Sequence, residues 1–94
     1  NIDNASVNHD IQILNYPNPF NSHTNIIFFI KKKSHVSITI YNSLGKTIKD
    51  VDYGYRNEGY NIISIDNFNE PSGIYFLKFT VSDINNVIKI IHLK

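Results

Sequence analysis

The side chains best suited to acid–base or metal chemistry at neutral pH are four histidines, and they stand far apart in the 94-residue chain: His9, His23, His35 and His92. Zinc sites and zinc proteases place their ligands at short spacings such as His-Glu-x-x-His, and no such spacing occurs. The Gly-x-Ser-x-Gly turn that presents a nucleophilic serine is also missing. We therefore predict isolated histidines, no catalytic residue, no metal site and no cofactor.

An acidic and amide-rich segment, DNFNE at residues 66–70, gathers oxygen ligands in one predicted loop. Calcium loops of the helix–loop–helix type need a defined 12-residue pattern, which this segment lacks. Asp and Asn side chains also favour turns because they bond to their own backbone. We interpret the segment as a turn.

Three tyrosines, Tyr53, Tyr55 and Tyr60, surround the predicted loop 54–59. Together they could form an aromatic platform for a sugar ring, or each could pack over a sheet edge. The platform keeps one alternative function open, which is a non-catalytic carbohydrate- or protein-binding module.

Composition excludes several classes of partner. Nine basic and eight acidic residues leave a net charge of +1, so no concentrated basic face is available for nucleic acid or an anionic membrane. The cluster of three lysines at residues 31–33 predicts a solvated turn. The chain has no cysteine, and no apolar run approaches the roughly 18 residues that span a membrane.

The sequence pattern predicts that these residues lie on β-strands and the loops between them. Val36, Ile38 and Ile40 alternate with polar residues, the period of two that a half-buried strand shows. Similar runs and the glycine-, proline- and Asx-rich segments between them predict seven strands. They cover residues 10–15, 24–30, 35–40, 46–53, 60–65, 74–81 and 87–93.

Seven short strands at intervals near 8–12 residues predict an antiparallel immunoglobulin-like β-sandwich. The Cys–Trp–Cys set of antibody domains is missing. The polar residues 1–9 show no period, so we predict a linker there and a single domain over residues 10–94.

A stiff corner, residues 16–20, joins the first two strands. Pro17 and Pro19 each have a φ near −65° and no N–H for a sheet ladder. Tyr16 and Asn18, which precede them, favour extended backbone. With an aromatic residue at either end, Tyr16 and Phe20, the segment predicts a non-helical connector anchored in the core.

This corner and four later segments resemble, in the same order, the motifs of the C-terminal sorting domains of the type IX secretion system, found in Bacteroidota and related phyla. The segments are YPNPF (16–20) followed by Thr24, VSITIYNSLGK (36–46), GYN (59–61), PSGIYF (71–76) and KIIHLK (89–94). The resemblance covers nearly the whole chain and ends at its last residue.

The resemblance implies a signal domain rather than an enzyme. Such domains follow a covalently linked cargo, are recognised by the outer-membrane translocon, and are removed by a sortase-like protease or used for anchoring. It implies passage through the periplasm to the cell surface or the medium, with residues 1–9 as the segment ahead of the domain. The motif residues that it marks are Pro17, Asn18, Pro19, Phe20, Gly45, Gly73, Tyr75, Lys89 and Lys94.

The last strand is the segment we expect to be recognised. A terminal strand at a sheet edge carries unpaired N–H and C=O groups that can pair with another chain. Lys89 and Lys94 would add charge anchors.

Overall fold

The computed structural model describes residues 12–94; the predicted linker and the first two residues of the predicted first strand lie outside the described residues. The described chain folds into seven strands and no helix. None of the described residues belongs to a helix long and apolar enough to cross a membrane. The strands are β1 Gln12–Tyr16, β2 Thr24–Ile30, β3 Ser34–Asn42, β4 Thr47–Arg56, β5 Gly59–Ile65, β6 Gly73–Val81 and β7 Ile84–His92.

The strands form two antiparallel sheets. The small sheet has the order β1–β2–β5, and the large sheet has the order β4–β3–β6–β7. The chain crosses between the sheets after β2, β4 and β5, whereas β3–β4 and β6–β7 are hairpins within the large sheet. This arrangement confirms the predicted immunoglobulin-like β-sandwich.

The core lies between the sheets and is built by alternate residues of each strand. In β2 and β3 every second side chain is buried, as expected for strands with one face on a core. Phe28 of the small sheet and Phe79 of the large sheet meet edge to face, with ring centroids 4.6 Å apart. Because such ring pairs add to the energy of apolar burial, this contact joins the sheets at the centre.

The fourth strand is longer than predicted, and the prediction of a loop at residues 54–56 is wrong. Gly54 lies inside β4 with φ +71°, next to a register shift in which Val36 pairs with Gly54 but Ser37 pairs with Asp52. The Asp52 carboxylate accepts a 2.8 Å hydrogen bond from the Gly54 N–H. The glycine therefore serves a β-bulge, which interrupts the strand without ending it.

The predicted start of the last strand at residue 87 is also wrong, because the strand begins at Ile84. The hairpin turns at Ser82 and Asp83, and Val81 pairs directly with Ile84. Ser82 adopts φ +54° and donates its N–H to the His35 carbonyl at 2.8 Å. A two-residue hairpin needs positive φ, and here a serine adopts it. The other predicted strand boundaries within the described residues are within about two residues of those observed, the usual uncertainty of strand ends.

Candidate recognition surface along the terminal strand

The proline-containing corner joins the edges of the two sheets. β1 is an edge of the small sheet and β7 is an edge of the large one, and the corner leaves β1 and runs against β7. The peptide bonds before Pro17 and Pro19 are both cis. On the small-sheet side, the buried Thr24 hydroxyl donates a 2.7 Å hydrogen bond to the Pro17 carbonyl. Thr24 therefore connects the start of β2 to the corner.

Asn18 binds the backbone of β7 with both ends of its side-chain amide. Its Nδ2 donates to the Lys89 carbonyl at 3.2 Å, and its Oδ1 accepts from the Ile91 N–H at 3.0 Å. A carboxamide offers one donor and one acceptor side by side, as a peptide group does. Asn18 thus occupies the place of a neighbouring strand's peptide.

Phe20 continues this pairing along β7. Its N–H donates to the Ile91 carbonyl at 2.9 Å, and its carbonyl accepts from the Leu93 N–H at 2.8 Å. The pair formed by Phe20 and His92 is a parallel bridge. Four hydrogen bonds therefore cover the outer edge from Lys89 to Leu93, and we call this set of contacts the clamp.

The Phe20 ring anchors the clamp in a buried aromatic cluster. It packs on Phe68 at 5.2 Å and on His92 at 4.9 Å between ring centroids, and Phe68 also meets Tyr75 at 5.1 Å. All four side chains are buried. The two His92 ring nitrogens have no hydrogen-bond partner among the described residues. His92 therefore contributes to this cluster by packing its ring against the neighbouring rings and not by hydrogen bonding with other described residues.

Tyr75 is the polar member of the cluster. Its hydroxyl donates a 2.6 Å hydrogen bond to the Pro71 carbonyl. Burial raises the pKa of the Tyr75 hydroxyl above its ordinary value of 10.0, and the negative charge of Glu70 raises it further. The residue stays protonated at neutral pH and ties the loop before β6 to the cluster.

The other half of the β7 edge is open. The clamp uses outward backbone groups of Lys89, Ile91 and Leu93. Because every second residue of an edge strand directs its N–H and C=O away from the sheet, the backbone groups of Asn85 and Val87 also point outward. Neither has a backbone partner on that side among the described residues. The Val87 side chain is 61% exposed. The prediction of an edge strand is confirmed, and its unpaired outward groups lie in the half before Lys89.

The structure brings the predicted motif residues to one end of the large sheet. Gly73 pairs with His92, and Tyr75 lies between Asn42 of β3 and Ile90 of β7. The turn with Gly45 (φ +86°) directly follows Asn42. Lys89 and Lys94 are exposed beside the clamp. The nine residues, separated by up to 77 positions from Pro17 to Lys94, thus share one region.

The turn with Gly45 is held by Asn42. The Asn42 carboxamide oxygen accepts from the N–H groups of Leu44 and Lys46 at 3.0 and 2.9 Å. The Gly45 N–H donates to the Asn42 carbonyl at 3.0 Å. This is the Asx chemistry that the sequence pattern predicts.

The three tyrosines of the possible sugar platform lie on different sides of the molecule. Tyr53 packs against the core, and burial is the main cause that raises the pKa of its hydroxyl. Tyr55 packs on His35 on the large sheet. Tyr60 packs on Phe29 on the small sheet. The structure does not assemble these rings into one surface.

The acidic loop at residues 66–70 contains a buried aromatic residue rather than a gathered ligand set. Phe68 enters the cluster, and its N–H donates to the Ser22 carbonyl at 3.0 Å. Within residues 12–94, no group of three or more His, Asp or Glu side chains is arranged to hold a metal ion.

Two contributors to this region were missed by sequence reasoning. The sequence spacing predicts only an isolated histidine at His92, although its neighbours Ile90, Ile91 and Leu93 are apolar, as is typical of a buried position. Phe68 was considered only as part of a polar loop. A single large ring among turn-forming residues is the signal that could have marked it as a core residue.

Comparison with known families gives a match. No curated protein sequence matches the chain. One family model, described as the secretion system C-terminal sorting domain, matches residues 14–93. The match begins in β1 and ends one residue after β7, so it includes both the clamp and the strand that it holds. The chain therefore belongs to the family of secretion system C-terminal sorting domains, the sorting signals of type IX secretion.

Proposed function

We propose that this domain directs a covalently linked upstream cargo through the outer-membrane translocon of the type IX system. The observation that carries the proposal is the family match over residues 14–93. The cargo would pass the periplasm and reach the cell surface or the medium. A sortase-like protease would then cut within residues 1–9, which precede the domain, to release the cargo or join it to a surface anchor.

The terminal strand is the part of the domain that we propose the translocon recognises. Because the clamp occupies the edge from Lys89 to Leu93, a translocon strand would pair with the outward groups of Asn85 and Val87. Lys89 stands at the boundary between the two halves, and Lys94 stands beyond the clamp. Their ammonium groups would select an acidic partner and speed its encounter.

An export assay tests the proposal. The 94-residue chain is fused to the C-terminus of a periplasmic fluorescent reporter, in a host with a working type IX system and in a translocon-deficient sibling. We expect the reporter at the surface or in the medium of the competent host alone, and mass analysis of its new C-terminus would locate the cut. A reporter that stays in the periplasm of both strains would contradict the sorting function and favour a binding module.

Point variants then separate recognition from folding. Val87→Pro removes one outward N–H of the open half and leaves the ladder to β6, because proline is tolerated where the N–H faces away from the sheet. We expect reduced export with nearly unchanged thermal stability. Export at the wild-type level by a stably folded Val87→Pro variant would overturn the pairing model while leaving the sorting function intact.

The lysines have a matched control. Lys89→Gln with Lys94→Gln should slow export, and the loss should shrink at high salt because charge steering is screened. Lys49→Gln with Arg56→Gln also removes two positive charges, from β4 at the opposite edge of the large sheet, and should leave export normal. Equal effects of the two changes would contradict a specific anchor role.

A further inference from the structure

The outer face of the small sheet is apolar and uncharged. The register of the sheet places nine side chains there in three rows of three. None of them is charged at neutral pH. The rows are Gln12–Phe29–Tyr60, Leu14–Ile27–Ile62 and Tyr16–Asn25–Ser64. We call this surface the small-sheet face.

Four of its large side chains are mostly in contact with solvent. Leu14 is 60% exposed, Ile62 58%, Tyr16 69% and Tyr60 76%. Contiguous apolar patches of this kind on a small protein mark interaction surfaces. Tyrosine is also enriched at the energetic centres of protein interfaces.

The outer face of the large sheet differs. There Asp50 and Asp52 of β4, Lys78 of β6 and Lys89 of β7 stand among threonines, serines and the apolar side chains of β6 and β7. The Thr39 hydroxyl donates to the Asp50 carboxylate at 3.1 Å. Charges of both signs keep that face solvated, whereas the small-sheet face is uncharged and is not covered by any of residues 12–94.

The small-sheet face is arranged on either side of its middle strand, β2, whose Phe29, Ile27 and Asn25 form the central column. Leu14 and Ile62 stand on either side of Ile27. The two tyrosines, Tyr16 and Tyr60, occupy one pair of opposite corners. The shorter or more flexible Gln12 and Ser64 occupy the other pair.

This pattern makes the face complementary to itself, and we propose that a second copy of this chain covers it. A two-fold axis parallel to β2 stacks the two small sheets, the aligned arrangement common to packed sheets. Leu14 of each copy then lies over Ile62 of the other copy, so the contact occurs twice, as an isologous interface requires. Each Ile27 meets its equivalent near the axis.

The corners also match under this axis. Tyr16 of one copy faces Ser64 of the other, and Tyr60 faces Gln12, so each ring meets a smaller or adjustable polar group. The tyrosine hydroxyls gain acceptors, since a carboxamide and a hydroxyl both accept hydrogen bonds. Absence of charge on the face removes the like-charge repulsion that prevents most surfaces from pairing with themselves.

The area suffices for a weak, specific dimer. A free aromatic side chain presents roughly 150–250 Å², so the exposed parts of the four side chains offer on the order of 100 Å² each. With the surrounding atoms, two copies would bury about 1,000 Å², the lower limit for a specific interface. We expect a dissociation constant in the micromolar to millimolar range.

Sedimentation equilibrium of the 94-residue chain tests the proposal. From micromolar to millimolar concentration, the average mass should rise from 10.8 kDa toward twice that value. Ile62→Lys places two lysines in the interface by symmetry and should raise the dissociation constant about tenfold or more. Ile74→Lys changes another exposed isoleucine, on the large sheet, and should leave dimerisation unchanged. A monomer at every concentration, or equal effects of both variants, would overturn the proposal.

A measurement on the unmodified chain keeps the test valid if a variant does not fold. Backbone amide NMR signals of β1, β2 and β5 should shift on dilution, while those of β4 and β7 stay fixed. Shifts confined to β7 would assign association to its open edge and overturn the small-sheet interface. Contacts of the face with residues 1–11 that persist at every dilution would do the same. The outcome does not depend on the sorting function, which the export assay tests separately.

Discussion

The two halves of β7 belong to one strand but meet different surroundings on their outer side. From the Lys89 carbonyl to the Leu93 N–H, the clamp pairs the outward backbone groups with four hydrogen bonds. Before Lys89, the groups of Asn85 and Val87 face solvent. Nothing in the ladder to β6 explains this, because β7 pairs with β6 along its entire length.

The difference between the two halves shows how this domain limits the length of its exposed strand edge. Unpaired strand edges invite association with other chains, and natural proteins cover or shorten them. Here the corner covers the second half of β7, from the Lys89 carbonyl to the Leu93 N–H. The half that remains open is only a few residues long, which limits pairing to a partner that fits it.

We expect the largest loss in the free energy of unfolding when the Phe20 ring, which anchors the clamp, is removed. Phe20→Ala removes a buried ring from the aromatic cluster and should lower the free energy of unfolding by about 3–5 kcal/mol, as other buried Phe→Ala changes do. Chemical denaturation measures it. Val87→Ala, in the open half, is the control and should cost far less. Similar losses at both sites would mean that the clamped half is not the better anchored one.

A smaller loss of stability is expected when only the hydrogen bonds between Asn18 and β7 are removed. Asn18→Ala deletes the two bonds to β7 and should cost about 1–3 kcal/mol, since the outward Ile91 N–H and Lys89 carbonyl lose their protein partner. Hydrogen exchange gives the sharper measurement. In the wild-type chain the Ile91 amide should exchange slowly and the Val87 amide fast, and Asn18→Ala should remove this contrast. Slow exchange at Ile91 in the variant would show that the clamp does not depend on Asn18.

Tyr75→Phe should cost about 1 kcal/mol at neutral pH, the typical value of one hydrogen bond. The pH dependence has a defined sign. Because the folded state raises the pKa of Tyr75, the neutral hydroxyl stabilises the protein fully below the unfolded value of 10.0. That stability is lost as the pH rises through the folded value. The difference between the two proteins should therefore shrink above pH 10.

Thermal unfolding from neutral to alkaline pH measures this difference. Tyr53, whose pKa burial also raises, is present in both proteins, so its contribution cancels. A difference that stays constant across the alkaline range would contradict the assignment of Tyr75 as a buried, protonated donor.

We expect the smallest change in stability from a substitution in the open half of β7. Val87→Thr keeps the branched shape and β-propensity of an exposed strand residue, so the free energy of unfolding should change by less than about 0.5 kcal/mol. Thermal denaturation measures it. A loss comparable to that of Asn18→Ala would reveal a contact along the open edge that its exposure does not suggest.

Most of the fold could be predicted from the sequence because alternation is a local property. Val36, Ile38 and Ile40 alternate strictly and fill the core as expected. The two errors arose where a residue behaves unlike its type. Gly54 continues a strand through a bulge, and Ser82 adopts the positive φ usually taken by glycine or asparagine. Neither conformation follows from the local alternation: the bulge depends on the register between β3 and β4, and the turn at Ser82 depends on the His35 carbonyl beside it.

The candidate site could be predicted only in part. The five motifs and their order identify the residues, but the contacts between Asn18 and β7 join positions 71 and 73 residues apart. No local pattern encodes such a pairing, and an asparagine between two prolines is equally consistent with a simple turn. The aromatic cluster was hidden for the same reason, since Phe68 and His92 come from segments that appear polar or regular in isolation.

Strand period, turn chemistry and motif order are properties of neighbouring residues, so the seven strands, the sandwich without disulfides and the family of the chain could all be predicted before the fold was known. Three further features became visible only in the folded chain: which half of β7 is covered, where the motif residues meet, and which sheet presents an uncharged face. These features depend on strand order and register, and those result from packing side chains that are distant in the chain.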